Sequence, residues 1–118
     1  MLFRSKVITL SNLQSVGAGA FENLSNLTSV TICNTLVDMG VGAFAYDDKV
    51  QEVNVVNNGY FFMEGPALFA DGGRTLHTLF DGLITEYYYE TTREATKVGA
   101  RAFDGIEKLE YEIGRAHV

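Results

Sequence analysis

A five-residue pattern returns along this chain at a fixed step, and that repeat limits the fold more than any other feature. Gly17-Ala18-Gly19-Ala20-Phe21 reappears 23 residues later as Gly40-Val41-Gly42-Ala43-Phe44, and again as Gly99-Ala100-Arg101-Ala102-Phe103. Gly65-Pro66-Ala67-Leu68-Phe69 reads as a degenerate copy. Leu27, Val30 and Ile32 follow Phe21 at offsets of 6, 9 and 11, and Val50, Val53 and Val55 follow Phe44 at the same offsets. Self-similarity at a period of roughly 20–50 residues is the mark of a solenoid, in which each unit is one turn of the chain.

The local physics follows from the pattern. Val30-Thr31-Ile32 and Val53-Asn54-Val55 alternate apolar and polar residues, the period of a half-buried strand. The outer residues of each triplet then point inward, and Thr31 and Asn54 face solvent. Val16, Met39 and Val98 stand just before the repeated glycines, which let the chain bend where a side chain would clash. The phenylalanines are expected to stack as a ladder along the solenoid axis, since one coil cannot bury its own apolar face.

Between Val56 and Thr92 the period breaks. Ala67 to Ala70 and Thr75 to Phe80 flank Asp71-Gly72-Gly73-Arg74, and Asp-Gly between apolar runs signals a β-hairpin. The sequence thus predicts a hairpin inserted between regular coils, around residues 60–86. Tyr87 to Thr91 then resumes as a strand, with Tyr89 inward and Tyr88 projecting beside Ser29 and Glu52.

The unit resembles the BspA-like leucine-rich repeats, which run apolar-x-x-Ile-x-Ile-Pro and then Val-x-x-Ile-Gly-x-x-Ala-Phe. Leu27, Val30, Ile32, Leu36, Met39, Gly40, Ala43 and Phe44 fill it here. The interrupted stretch, with Gly65, Leu68, Phe69, Asp71, Gly72 and Leu76, is similar to a variant of that family. Cys33 stands where the family has Pro, and Leu24 and Ile106 stand where a Cys often follows Ala-Phe. The first coil is one residue short between Leu10 and Val16. The resemblance implies a repeat solenoid of short β-strands and turns, found in secreted or surface-anchored proteins and associated with adhesion and protein binding. Residues 1–111 are expected to form part of such a solenoid, about four coils with the hairpin. Glu112 to Val118 instead resembles the translation of a common short-read sequencing adapter. Glu112 also stands where the repeat asks for an apolar residue, so 112–118 is expected to be a non-native tail.

Composition narrows the function classes. The 118 residues are 47% hydrophobic and 20% charged, within the range of ordinary globular proteins. The net charge is −6, and no two of the nine basic residues are adjacent. That argues against nucleic acid as a partner, which needs clustered Lys and Arg. No apolar run is long enough to insert in a membrane. The first six residues do not read as a signal peptide.

No catalytic, cofactor or metal constellation emerges. His77 and His117 lack partners at metal-ligand spacing, and His77 reads as a surface or hairpin-filling residue. Cys33 with His77 lacks a third group to orient a nucleophile–base pair. Gly17-Ala18-Gly19 and Gly40-Val41-Gly42 lack the remainder of a phosphate loop. Asp47-Asp48 and Asp71 lack a spaced oxygen-ligand loop for calcium; Asp is common in turns anyway. Asn23 and Asn26 head glycosylation sequons, relevant only in a eukaryotic secretory route. The expectation is therefore a non-catalytic module without cofactor. Its outward strand residues, Ser29, Thr31, Glu52, Asn54, Tyr88 and Glu90, form the candidate face for a protein or glycoprotein ligand. Tyrosine is enriched in binding hot spots, although it also suits any half-exposed strand. The alternative is a structural stalk with no partner of its own.

Overall fold

The computed structural model describes residues 6–86, 88–91, 96–109 and 111–112. Among the described residues, eleven short strands in chain order build stacked coils within 36 × 27 × 20 Å. The first coil holds β1 (Val7–Leu10) and β2 (Ser15–Val16), and the second holds β3 (Ser29–Ile32) and β4 (Asp38–Met39). The third opens with β5 (Glu52–Val55) and continues through β6 (Phe62–Glu64), β7 (Ala67–Ala70) and β8 (Thr75–Leu79). The fourth holds β9 (Tyr88–Tyr89) and β10 (Lys97–Val98), and β11 (Tyr111–Glu112) begins the next turn.

Strands pair in parallel with their counterparts one coil away. β1, β3 and β5 form one sheet in which Ile8, Val30 and Val53 share a register, as do Leu10, Ile32 and Val55. Their side chains point inward, and Ile8, Leu10, Val30 and Ile32 are fully buried. β2 pairs with β4, β8 with β10, and β9 with β11. Burying one apolar face against the next coil is what holds a solenoid together. The missing residue of the first coil does not disturb Val16 against Met39; the loop after Ile32 absorbs it.

The repeated turns explain the glycines. Gly40 donates its N–H to the Val16 carbonyl at 2.7 Å, and a Cβ on it would meet Ala18 N at 2.3 Å. Only glycine permits so close a stacking of backbone on backbone. Beyond it, Phe21 N–H donates to the Ala43 carbonyl and Asn23 N–H to that of Ala45, each at 2.8 Å. Two of the repeat phenylalanines stack, the Phe21 and Phe44 rings lying 5.4 Å apart and 19° from parallel, whereas Phe103 packs against a different apolar cluster. Phe44 is fully buried, while Phe21 and Phe103 are half-buried.

The hairpin is present, with one change of register and one of role. β7 and β8 run antiparallel around a 3-10 turn at Asp71–Gly73, and β6 adds a third antiparallel strand that the sequence pattern did not announce. The third member of the ring ladder is Phe80, whose centroid lies 6.1 Å from Phe44 and whose ring is tilted by 52°. Phe69, from the degenerate copy, packs in a separate apolar cluster with Ala67, Leu76, Leu79 and Tyr89. Leu76-His77-Thr78-Leu79-Phe80 therefore takes the place of Met39-Gly40-…-Phe44 in this coil, and Gly99 donates to the Leu76 carbonyl as Gly40 does to that of Val16. The hairpin is spliced into the coil itself, because β8 is at once its second arm and the coil's second strand.

The backbone ladder continues through Tyr111 and Glu112, which pair with Tyr88 and Tyr89. Residues 113–118 lie outside the described residues.

Candidate functional site

The β1–β3–β5 sheet sets its outward side chains in two columns, Val7–Ser29–Glu52 and Thr9–Thr31–Asn54. In-register parallel pairing stacks one residue of each coil directly beside the next, so each column is a row at strand spacing. Ser29 Oγ donates to Glu52 Oε1 at 3.1 Å along the first row. Glu52 and Asn54 are exposed on the outer strand, and Ser29 and Thr31 are half-covered between neighbours. Val7 is 56% exposed, whereas Ile8, its neighbour on the opposite face, is buried.

Four of the six face residues, Ser29, Thr31, Glu52 and Asn54, thus share one surface. Tyr88 and Glu90 do not continue it. β9 pairs with β11, and Tyr88 does not stand beside Glu52 in a common ladder. The cause is the hairpin. Glu64, the last residue of β6, accepts hydrogen bonds from Tyr89 Oη at 3.0 Å and from Thr91 Oγ1. Its side chain links the hairpin to the fourth coil. Tyr89 points inward and is buried, while Tyr88 is 37% exposed. Tyr88 and Glu90 line an open cleft of about 400 Å³ with Glu64, Pro66, Ile84 and Glu86.

His77 is buried in β8, not at the surface. Nε2 lies 3.1 Å from both the Met39 and Gly40 carbonyl oxygens, so it carries the proton and donates; Nδ1 accepts from Thr78 Oγ1 at 2.6 Å. Burial holds the ring below its ordinary pKa, and the two carbonyls oppose that only in part. In the first two coils a backbone N–H closes this junction. Here a cleft of about 260 Å³ separates β4 from the hairpin, and the imidazole reaches across to the carbonyls instead. Cys33 is a free, half-buried thiol, and His77 makes its bonds elsewhere, so the two do not form a nucleophile–base pair.

Sequence reasoning missed three polar devices. Asp47 is buried to 3% exposure, in the position that Leu24, Leu83 and Ile106 hold after the phenylalanines of the other coils. Its Oδ1 accepts the Leu24 N–H at 2.6 Å, while Oδ2 is buried without a partner among the described residues. Burial raises this carboxyl to a pKa of about 7; the Leu24 bond pulls it down, and Asp48 and Glu22 add to the rise. Arg101 adopts φ 68° and reaches back to Glu22 Oε2 at 2.6 Å while its Nε holds Asp104 at 2.7 Å. It passes over Gly42 (φ +67°), where a Cβ would meet Arg101 Nη1 at 2.5 Å. Asn58 brackets the foot of the hairpin. The signal for Asp47 was available, since an acid stands in a column of apolar residues.

Asp71 Oδ2 accepts from Thr75 Oγ1 at 2.8 Å, a turn-stabilising bond. Among the described residues no group of three His, Cys, Asp or Glu is placed to hold a metal ion, and no helix is long and apolar enough to cross a membrane. Asn23 and Asn26 are both exposed.

A family model described as "BspA type Leucine rich repeat region (6 copies)" matches residues 4–65. None of the curated proteins matches the chain significantly. The crystal structure of a leucine rich cell surface protein from Faecalibacterium prausnitzii A2-165 is similar, with a TM-score of 0.55 and 21% identity. The match covers 92% of this chain and 25% of that one, so this chain spans about a quarter of that protein's length.

Proposed function

This chain belongs to the BspA-type leucine-rich repeat family, and from that premise we propose that it is a non-catalytic recognition segment of a surface or secreted protein. The partner is a protein or glycoprotein, met by the outward face of the β1–β3–β5 sheet. The observation that carries this reading is the face itself: an in-register array in which Ser29, Thr31, Glu52 and Asn54 offer short polar groups on a rigid base. A rigid array loses little conformational freedom on binding, which is where much of the cost of association lies. Glu52, together with the chain's charge of −6, favours a basic or neutral glycosylated partner over an acidic one. Tyr88 and Glu90 form a second, separate contact area at their own cleft. The surface location rests on the family and on the fold of the F. prausnitzii protein.

Binding of fluorescently labelled chain to an immobilised neutral, desialylated glycoprotein and to lysozyme, as a basic protein, tests this. Glu52→Lys and Asn54→Lys should weaken capture while moving the unfolding midpoint little, because both side chains and the Ser29–Glu52 bond are exposed. A stalk without a partner would show no capture, or capture indifferent to both substitutions; either result defeats the recognition reading.

A further inference from the structure

The sequence contains a single Asn-Gly pair, Asn58-Gly59, between β5 and the hairpin. Glycine after asparagine leaves the following backbone nitrogen unobstructed, because there is no Cβ to keep it from the asparagine side chain. Asn57 takes a left-handed conformation, φ 49°, and turns the chain so that Asn58 lies beneath the loop of the second coil. There its amide is saturated. Nδ2 donates to the Cys33 and Leu36 carbonyls, each at 2.8 Å. Oδ1 accepts from the N–H of Tyr60 at 2.8 Å and of Phe61 at 3.2 Å. Two donors and two acceptor positions are the whole capacity of a primary amide. Gly59 is exposed, with open space where a Cβ would stand, and its N–H makes no hydrogen bond among the described residues.

We propose that Asn58 is a self-modification site gated by this bracket: it deamidates when the loop opens, and the modified residue prevents the loop from closing again. The Gly59 nitrogen attacks Asn58 Cγ, the new C–N bond closes a five-membered succinimide, and Nδ2 leaves as ammonia. Water then opens the ring at either carbonyl, giving aspartate or isoaspartate; no oxidant or reductant is involved. While the bracket holds, Cγ cannot turn toward Gly59 without giving up four hydrogen bonds. After reaction, a carboxylate would face two carbonyl oxygens at the former donor contacts, acceptor against acceptor, in a half-buried place. The change is therefore one-way, and it severs the tie between the second coil and the foot of the hairpin.

The test incubates the full chain at mildly alkaline pH, native and in urea, and follows residue 58 by peptide mass spectrometry and isoaspartate assay. Conversion in the native chain should be at least about tenfold slower than in urea, the protection expected from a bracket of several net-stabilising hydrogen bonds. Gly59→Ala should slow the reaction in urea while leaving the native midpoint unchanged, since the added Cβ meets nothing within 4 Å. Asn58→Asp should lower the unfolding midpoint and speed hydrogen exchange at the Tyr60 and Phe61 amides. Equal rates in native and unfolded chain would overturn the gating, and an Asn58→Asp chain as stable and as protected as wild type would overturn the one-way lock.

Discussion

Replacing Asp47 by Asn should make the protein more stable at pH 8 and change it little at pH 5. The carboxyl sits in an otherwise apolar column at 3% exposure, with one oxygen bonded to the Leu24 N–H and the other without a partner among the described residues. Its pKa is about 7 in the folded chain, against 3.8 for an ordinary aspartate. Between those values the folded chain binds more proton than the unfolded one, so this residue makes stability fall as pH rises from about 4 to about 7, then level off. At 1.36 kcal/mol per pH unit, the penalty above pH 7 is on the order of 4 kcal/mol. Asn removes the charge and keeps the oxygen that serves Leu24, but its N–H groups meet the place where Oδ2 finds no partner, which costs about 1–3 kcal/mol. The net gain at pH 8 is therefore roughly 1–3 kcal/mol, from the difference of those two figures. Urea unfolding of both chains from pH 4.5 to 8.5 measures it, and the difference between them cancels all other titrating groups. A difference that stays constant between pH 5 and 8, or an Asp47→Asn chain weaker than wild type at pH 8, would refute the reasoning.

Phe44→Ala should cost about 3–5 kcal/mol in urea unfolding, because a fully buried ring with ring neighbours on both sides leaves a cavity. His77→Ala should cost about 2–3 kcal/mol by the same measurement, leaving the Met39 and Gly40 carbonyls without their shared donor. With its folded pKa depressed, neutral His77 contributes stability above the ordinary histidine value of 6.5 and loses it as pH falls below that, a loss absent from the Ala chain. Arg101→Ala should cost little, and less in high salt, since the ion pairs with Glu22 and Asp104 are a third exposed and screened by solvent. Gly42→Ala should cost more than Arg101→Ala, because its φ of +67° strains any side chain.

How much of this was legible in the sequence differs by element. Val30, Ile32, Val53 and Val55 declared their strands and their inward faces because period two and the repeat agreed on them. The glycine-to-phenylalanine turns were legible for the same reason. Phe80 was not. Its coil writes the turn as Leu76-His77-Thr78-Leu79, with neither the glycine nor the alanine, because a histidine ring replaces the backbone donor there. Phe69 carried the better pattern match and packs elsewhere. The six candidate face residues read as one surface in the sequence, and the separation of Tyr88 and Glu90 from Ser29, Thr31, Glu52 and Asn54 was hidden. Glu64 binds Tyr89 from 25 residues away, and no local pattern encodes that link. Asn58 was equally silent, since its carbonyl acceptors belong to Cys33 and Leu36 in the preceding coil.

The repeat runs through the hairpin, with Phe80 and not Phe69 as the third rung of the ladder. A double-mutant cycle tests it most directly, with Phe→Leu substitutions mild enough to keep the chain folded. Phe44 with Phe80, at 6.1 Å between rings, should show a coupling of about 0.5–1.5 kcal/mol. Phe44 with Phe69, in separate clusters, should be additive within about 0.3–0.5 kcal/mol. The reverse result, Phe69 coupled to Phe44 and Phe80 independent of it, would contradict this register of the coils.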